Sequence, residues 1–195
     1  MRRILPPKQP SLGAEFDVEP SRRLFFAIRP DVGATGRLTC LMQRLRHDGL
    51  MPGRSVEPDR LHITLHHLGD FDDQIPPSLL PTASMAAATV RMQPFDVAFD
   101  RVAGTRGPLL LRASDGARAL RMFRQTLTEA LIKAGLRRHV ASAFNPHMTL
   151  SYDFGDTPEQ IIEPIDWTIR EFVLSESLLG KHEHIERGCW SLRRS

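Results

Sequence analysis

Apolar and polar positions change period several times along the chain, and each change marks an element. Residues 1–20 hold four Pro and no periodicity, so a mobile arm without its own core is expected there. The run RRLFFAIRP at 22–30 is short, apolar and closed by Pro30, which predicts a strand. Asp31 can cap a following helix, in which Val32, Leu38, Leu41, Met42 and Leu45 recur at helical spacing until Gly49. Residues 52–58 read as a loop between two Pro, and LHITLHHL alternates as a strand. An Ala-rich helix is expected over 76–92, with Leu79, Leu80, Met85, Ala86 and Val90 as its apolar positions. FDVAFDRV at 95–102 alternates, GTRGP reads as a turn, and LLLRA at 109–113 reads as another strand. Residues 116–135 carry the clearest helical stripe, Leu120, Phe123, Leu127, Leu131 and Ile132, ended by Gly135. PHMTLSYDF, WTIREFVLSES and HIERGCWSL supply three last strands.

The order is strand, helix, strand, helix, two strands, helix, three strands. It lacks the regular strand–helix repeat of a doubly wound parallel sheet, and no Gly-rich phosphate loop follows the first strand. The expected class is α+β, with antiparallel sheet covered by helices.

One short pattern occurs twice. Residues 61–65 read Leu-His-Ile-Thr-Leu, and residues 146–150 read Pro-His-Met-Thr-Leu. Alternation puts His62 and Thr64 on one face of their strand, with Leu61, Ile63 and Leu65 on the other. His147 and Thr149 likewise share a face, opposite Met148 and Leu150. Continued alternation places His66 and Ser151 on these same polar faces, and His67 and Tyr152 on the opposite ones. A single His-x-Thr carries little weight in a chain of this composition; two copies with matched apolar flanks carry a great deal.

The pair suits displacement at phosphorus. Attacking and leaving oxygens stand on opposite sides of the phosphorus, so one group must take a proton and another must give one. Two imidazoles, with an ordinary pKa of about 6.5, can do both near neutrality. Each Thr hydroxyl can donate to a non-bridging phosphate oxygen, a hydrogen bond strengthened by the acceptor's charge. The scheme needs no metal or other cofactor. The residues alone do not tell donor from acceptor.

These motifs resemble the signature of the 2H phosphoesterase superfamily, within which the chain is most similar to the RNA 2′,3′-cyclic phosphodiesterases, also called 2′-5′ RNA ligases. The resemblance rests on RLFFAIRP at 23–30, LHITLHHLGD at 61–70, PHMTLSYD at 146–153 and FVLSESLLG at 172–180. It implies two similar α+β lobes related by a pseudo-twofold axis, with an open central cleft and one motif from each lobe. Residues 21–195 would then form a single bilobal domain. The resemblance further implies hydrolysis of RNA 2′,3′-cyclic phosphate ends to a 2′-phosphate, and 2′-5′ ligation by the reverse chemistry. His62 would be the proton donor, His147 the proton acceptor, and Thr64 and Thr149 the phosphate holders. Many members carry an Arg shortly after the second motif; here Ser151-Tyr152-Asp153 follows. Either another Arg supplies that charge or the substrate differs. A small cyclic nucleotide or a 2′-5′ oligonucleotide is therefore an alternative substrate. A non-catalytic module that binds RNA ends is a third reading, against which both intact His-x-Thr pairs argue.

Composition changes this picture little. The 195 residues carry a net charge of +3, and the 26 basic residues are 23 Arg and 3 Lys spread along the chain. Guanidinium groups grip phosphate well, but no basic block marks a nucleic-acid tail. No apolar run reaches the roughly 18–20 residues of a membrane-spanning helix. The N-terminus lacks the apolar core of a secretory signal. Cys40 and Cys189 read as reduced thiols, and a cytoplasmic monomer acting on RNA 3′ ends or cyclic nucleotides is expected.

Other polar and aromatic residues have plainer readings. His62, His66 and His67 invite a zinc reading, but no Cys or carboxylate sits at ligand spacing and His67 points away. His182 and His184 follow Gly180 and read as a solvated loop. Phe25, Phe26, Tyr152 and Trp190 are candidates for stacking on a base, with core packing the plainer role for the Phe pair. Asp70 and Asp153 read as turn residues closing the motif strands.

Overall fold

Asp31 does cap the first helix: its Oδ1 accepts from the Ala34 amide at 2.7 Å. In the computed structural model, which describes residues 21–51, 53–115, 117–141 and 143–193, that helix is α1, Val32–His47. It follows β1, Arg22–Ile28, and precedes β2, Ile63–Phe71. Then come α2, Leu79–Ala88; β3, Phe95–Arg112; α3, Arg118–Lys133; β4, His147–Ile169; β5, Glu171–Leu178; and β6, Glu183–Ser191. The arm expected over residues 1–20 lies outside the described residues.

The strands form one antiparallel sheet in the order β3-β4-β2-β1-β5-β6. This is the expected α+β class. Between β2 and β4 the register consists of one bridge, Ile63 to Met148, so the sheet divides there into two halves. Those two residues are the centres of the two His-x-Thr motifs.

Several details differ from expectation. GTRGP is not a turn but part of β3, whose irregular pairing with β4 runs through it. Gly104 lets the chain bend there, since a Cβ on it would meet the Leu109 backbone at 3.2 Å. The stretch 167–177 is not one strand: β4 ends at Ile169, and β5 begins after Arg170. Val32 belongs to no apolar stripe and is 92% exposed, while Ala34 takes the buried position.

The helices lie on one side of the sheet and cross over between the halves. α1 packs against β4, with Thr157 of β4 donating to the Leu50 carbonyl just beyond α1. α3 lies behind β2 and β5: Thr128 bonds His66, and Phe123 meets Phe172 edge-on at 5.1 Å. Leu120, Phe123, Leu127 and Leu131 are fully buried, as their spacing predicts. The opposite face of the sheet is left open.

Candidate active site

Alternation holds through both motifs. Leu61, Ile63, Leu65, Met148 and Leu150 are buried in the core, while His62, Thr64, His147 and Thr149 are half-buried on the open face. The two imidazoles are held alike. His62 Nδ1 lies 2.7 Å from the Arg60 carbonyl, and His147 Nδ1 lies 2.7 Å from the Asn145 carbonyl. A carbonyl only accepts, so each Nδ1 carries its hydrogen and each Nε2 is left for chemistry. This shared device, a carbonyl two residues upstream, had no sequence signal.

The likeness extends beyond the motifs. β1 pairs with β2 through Phe26–His66, Ala27–Thr64 and Ile28–Ile63, so Leu65 is an extra residue. β3 pairs with β4 through Leu109–Ser151, Leu110–Thr149 and Leu111–Met148, so Leu150 is an extra residue at the same place. Each half therefore holds a β-bulge directly after its His-x-Thr. A bulge leaves a carbonyl outside the ladder. Here the Leu65 carbonyl accepts from Arg124 Nε at 3.0 Å, and the Leu150 carbonyl accepts from the Val56 amide at 2.8 Å.

The bulges reverse what alternation predicts downstream. His66 does not face the cleft; it is 2% exposed, and Ser151 is fully buried. His67 and Tyr152, expected on the opposite faces, instead line the open face. A second irregularity, which leaves Leu68 unpaired, returns Asp70 to the same side as His67. Asp70 closes no turn: it accepts both Arg23 Nε and Nη2 at 2.8 Å, with His67 Nε2 at 2.7 Å from its Oδ1.

The cleft around His62 is a cavity of about 610 Å³. His62 and Thr64 line it together with Phe25, Arg23, Arg60, Tyr152 and His184; His147 and Thr149 stand across the bridge, outside its walls. Phe25 is buried, packed in a small cluster with Ala27 and Val173, and it also lines the cleft, its ring 4.9 Å from His62 and inclined by 31°. Phe26 and Trp190 pack behind the sheet, 6.0 Å apart, and are not available for stacking. His184 does not sit in a solvated loop. It lies in β6, edge-on to His62 at 5.4 Å and to Phe25 at 5.5 Å. His182 stays exposed in the preceding turn, with φ 57°.

The electrostatics favour an incoming anion. Arg112 pairs with His147, and Arg29 takes the matching place beside His62, one residue past the Ile28–Ile63 pair. The Nε atoms of Arg60 and Arg112 are buried without a hydrogen-bond partner. Burial pushes the His62 pKa below its ordinary value; Arg29, Arg60 and His147 add to this, and the Arg60 carbonyl opposes it. Burial, then His62, Arg60 and Arg29, push His184 down to about 4. His62 in the free protein should therefore titrate below the usual midpoint of about 6.5, and a bound phosphate should move it upward. Histidine NMR titrations with and without inorganic phosphate measure both; a free-state midpoint above 6.5 would contradict this field.

His66 makes a separate prediction about stability. Its Nε2 donates to Thr128 Oγ1 at 2.9 Å, because that hydroxyl already donates to the Arg124 carbonyl. Its Nδ1 is buried without a partner, so a second proton would find no acceptor. Burial, and then the Arg124 charge, lower its pKa to about 4. The unfolded chain thus binds more protons between the two pKa values. Stability is complete above the unfolded pKa and falls as pH drops from about 6.5 to 4, by on the order of 3 kcal/mol from this group. Urea unfolding at pH 7 and pH 4 should show the loss, and a His66→Gln protein should lose less.

Among the described residues, no three His, Cys, Asp or Glu side chains are grouped to hold a metal ion, and no helix is long and apolar enough to cross a membrane. The fold has clear counterparts. The apo crystal structure of E. coli LigT superposes with a TM-score of 0.70 at 24% identity, covering 90% of this chain and 99% of that one. LigT complexed with 3′-AMP gives 0.68 at 24% identity, covering 90% and 99%. TT0787 of Thermus thermophilus gives 0.70 at 22% identity, covering 88% and 98%. No curated protein matches the sequence. The sequence profile of the 2′-5′ RNA ligase superfamily, however, matches residues 34–181, which hold both motifs and both bulges. Over that length the profile match and the LigT-like fold agree, and the chain belongs to the 2′-5′ RNA ligase superfamily.

Proposed function

We propose that this protein opens 2′,3′-cyclic phosphates at RNA ends by acid–base catalysis between His147 and His62. The observation that carries the reading is the matched pair of imidazoles, each fixed by an upstream carbonyl with its Nε2 left free. His147 Nε2 takes a proton from water, whose oxygen bonds to phosphorus. The bond from phosphorus to O3′ breaks, and His62 Nε2 gives its proton to that oxygen, leaving a 2′-phosphate. Thr64 and Thr149 donate to the non-bridging oxygens. Arg60 and Arg112, each with a buried Nε lacking a partner, offset the charge of the phosphate as it gains a further bond to oxygen. A 5′-hydroxyl in place of water would give a 2′-5′ linkage by the same step.

The low His62 pKa fits a donor that is charged by its own substrate. The phosphodiester anion opposes the cationic neighbours and favours a proton on Nε2. E. coli LigT has been crystallised with 3′-AMP and with phosphate, and ligands of that kind suit a cleft of this size.

The test is a panel of 2′,3′-cyclic mononucleotides and short RNAs ending in a cyclic phosphate, with product position read by phosphorus NMR. A 2′-phosphate is expected, in undiminished yield with excess EDTA. A 3′-phosphate product, or activity lost to EDTA and restored by a divalent metal, would overturn the scheme.

A further inference from the structure

We propose that Tyr152 and Arg23 form a clamp at the cleft mouth that holds a nucleobase between an aromatic ring and a guanidinium plane. The inference rests on the reading above and names what the same cleft recognises beyond the phosphate. Three observations carry it.

First, the bulge at Leu150 is what turns Tyr152 into the cleft. Tyr152 is 58% exposed, a large ring surface left to solvent inside a cavity wall. Second, Arg23 lines the same cavity from the other half of the sheet. Third, Arg23 is immobilised. Asp70 grips it through two bonds of 2.8 Å, and His67 braces Asp70 at 2.7 Å. A guanidinium whose edge is used up by a carboxylate keeps its flat face for stacking.

A planar, uncharged aromatic ligand fits such a pair better than a second phosphate does. Asp70 already neutralises the Arg23 charge, and Tyr152 brings none. Bases stack on tyrosine rings and on guanidinium planes in single-stranded nucleic-acid sites, with little preference for sequence.

Tyr152 is the sole tyrosine of the chain, which gives a direct readout. Protein labelled in its tyrosine ring would be titrated with inorganic phosphate, ribose 5-phosphate and adenosine 2′-monophosphate. Only the adenine-bearing ligand should shift the ring signals upfield. Tyr152→Ala should weaken adenosine 2′-monophosphate binding by about tenfold, Tyr152→Phe should retain it, and phosphate affinity should not change. Arg23→Met should weaken nucleotide binding while leaving phosphate binding intact. Saturation by the nucleotide without a ring shift, or equal loss of phosphate and nucleotide binding in Tyr152→Ala, would overturn the clamp. Failure to bind the nucleotide at all would overturn it too. The readout does not depend on turnover. A ring shift without hydrolysis in the phosphorus NMR panel removes the proposed activity and keeps the clamp; hydrolysis without a ring shift does the reverse.

Discussion

A His147→Ala protein should fold as its parent does and hydrolyse cyclic phosphates about 10²- to 10⁴-fold more slowly, the usual worth of one positioned proton-transfer group. His62→Ala should lose a similar amount. Both rings stand on the open face of the sheet, so their removal opens no cavity behind Ile63 or Met148. The double substitution should be little worse than either single one, because the two groups serve one proton path. Thr64→Val and Thr149→Val should cost about 1.5–3 kcal/mol each in kcat/KM, one hydrogen bond to a charged oxygen. His47, exposed on α1 and paired with Asp48, is the silent control. The measurements are circular dichroism for folding and initial rates for turnover. Near-normal turnover by folded His147→Ala would show that the chemistry lies elsewhere.

Arg124→Leu should be the most damaging substitution away from the reacting groups. Arg124 is buried, its Nε donates to the Leu65 carbonyl, and its Nη2 donates to the Ala141 and Ala143 carbonyls. Its guanidinium also lies over the Phe144 ring at 4.7 Å. Leucine fills the space and leaves the buried Leu65 carbonyl without a donor, while the carbonyls of exposed Ala141 and Ala143 can turn to water. A loss of about 1–3 kcal/mol is expected in urea unfolding. Activity should fall further than stability accounts for. Without the Leu65 bond the bulge can slip by one residue, which exchanges His66 and His67 between core and cleft. Arg124→Lys keeps one donor and should recover part of the loss. An unchanged urea midpoint for Arg124→Leu would refute this role for the buried guanidinium.

The two bulges also mark where the sequence stops being legible. Up to Leu65 and Leu150 the two-residue period places every motif side chain correctly. Beyond them it assigns His66, His67 and Tyr152 to the wrong faces, because an extra residue has no composition of its own. In β2 one trace was present: apolar residues fall at 61, 63 and 65, then at 68, a change of phase. β4 offers none, since Tyr152 reads as apolar or polar equally well. His184 was missed for another reason. Its place depends on β5 lying between β1 and β6, and pairing partners distant in sequence leave no local mark. GTRGP was misread because Gly and Pro favour a turn locally, while the long pairing of β3 with β4 overrides them. The helices were the most legible, α3 above all, because one buried stripe against one sheet is a local property.

The crossing of the helices bears on how the chain is born. β1 is flanked by β2 and by β5, so its second partner, Glu171–Leu178, is made only after β2, β3 and β4. α1 waits for β4, and β2 waits for α3. No early segment can bury its own apolar face. Contacts of such long separation must close large loops before any burial rewards them, which slows folding. A nascent chain ending before β5 would expose Leu24, Phe26 and Ile28 along an unpaired strand edge, a template for aggregation. Slower synthesis and a larger chaperone supply should therefore raise the yield of folded protein.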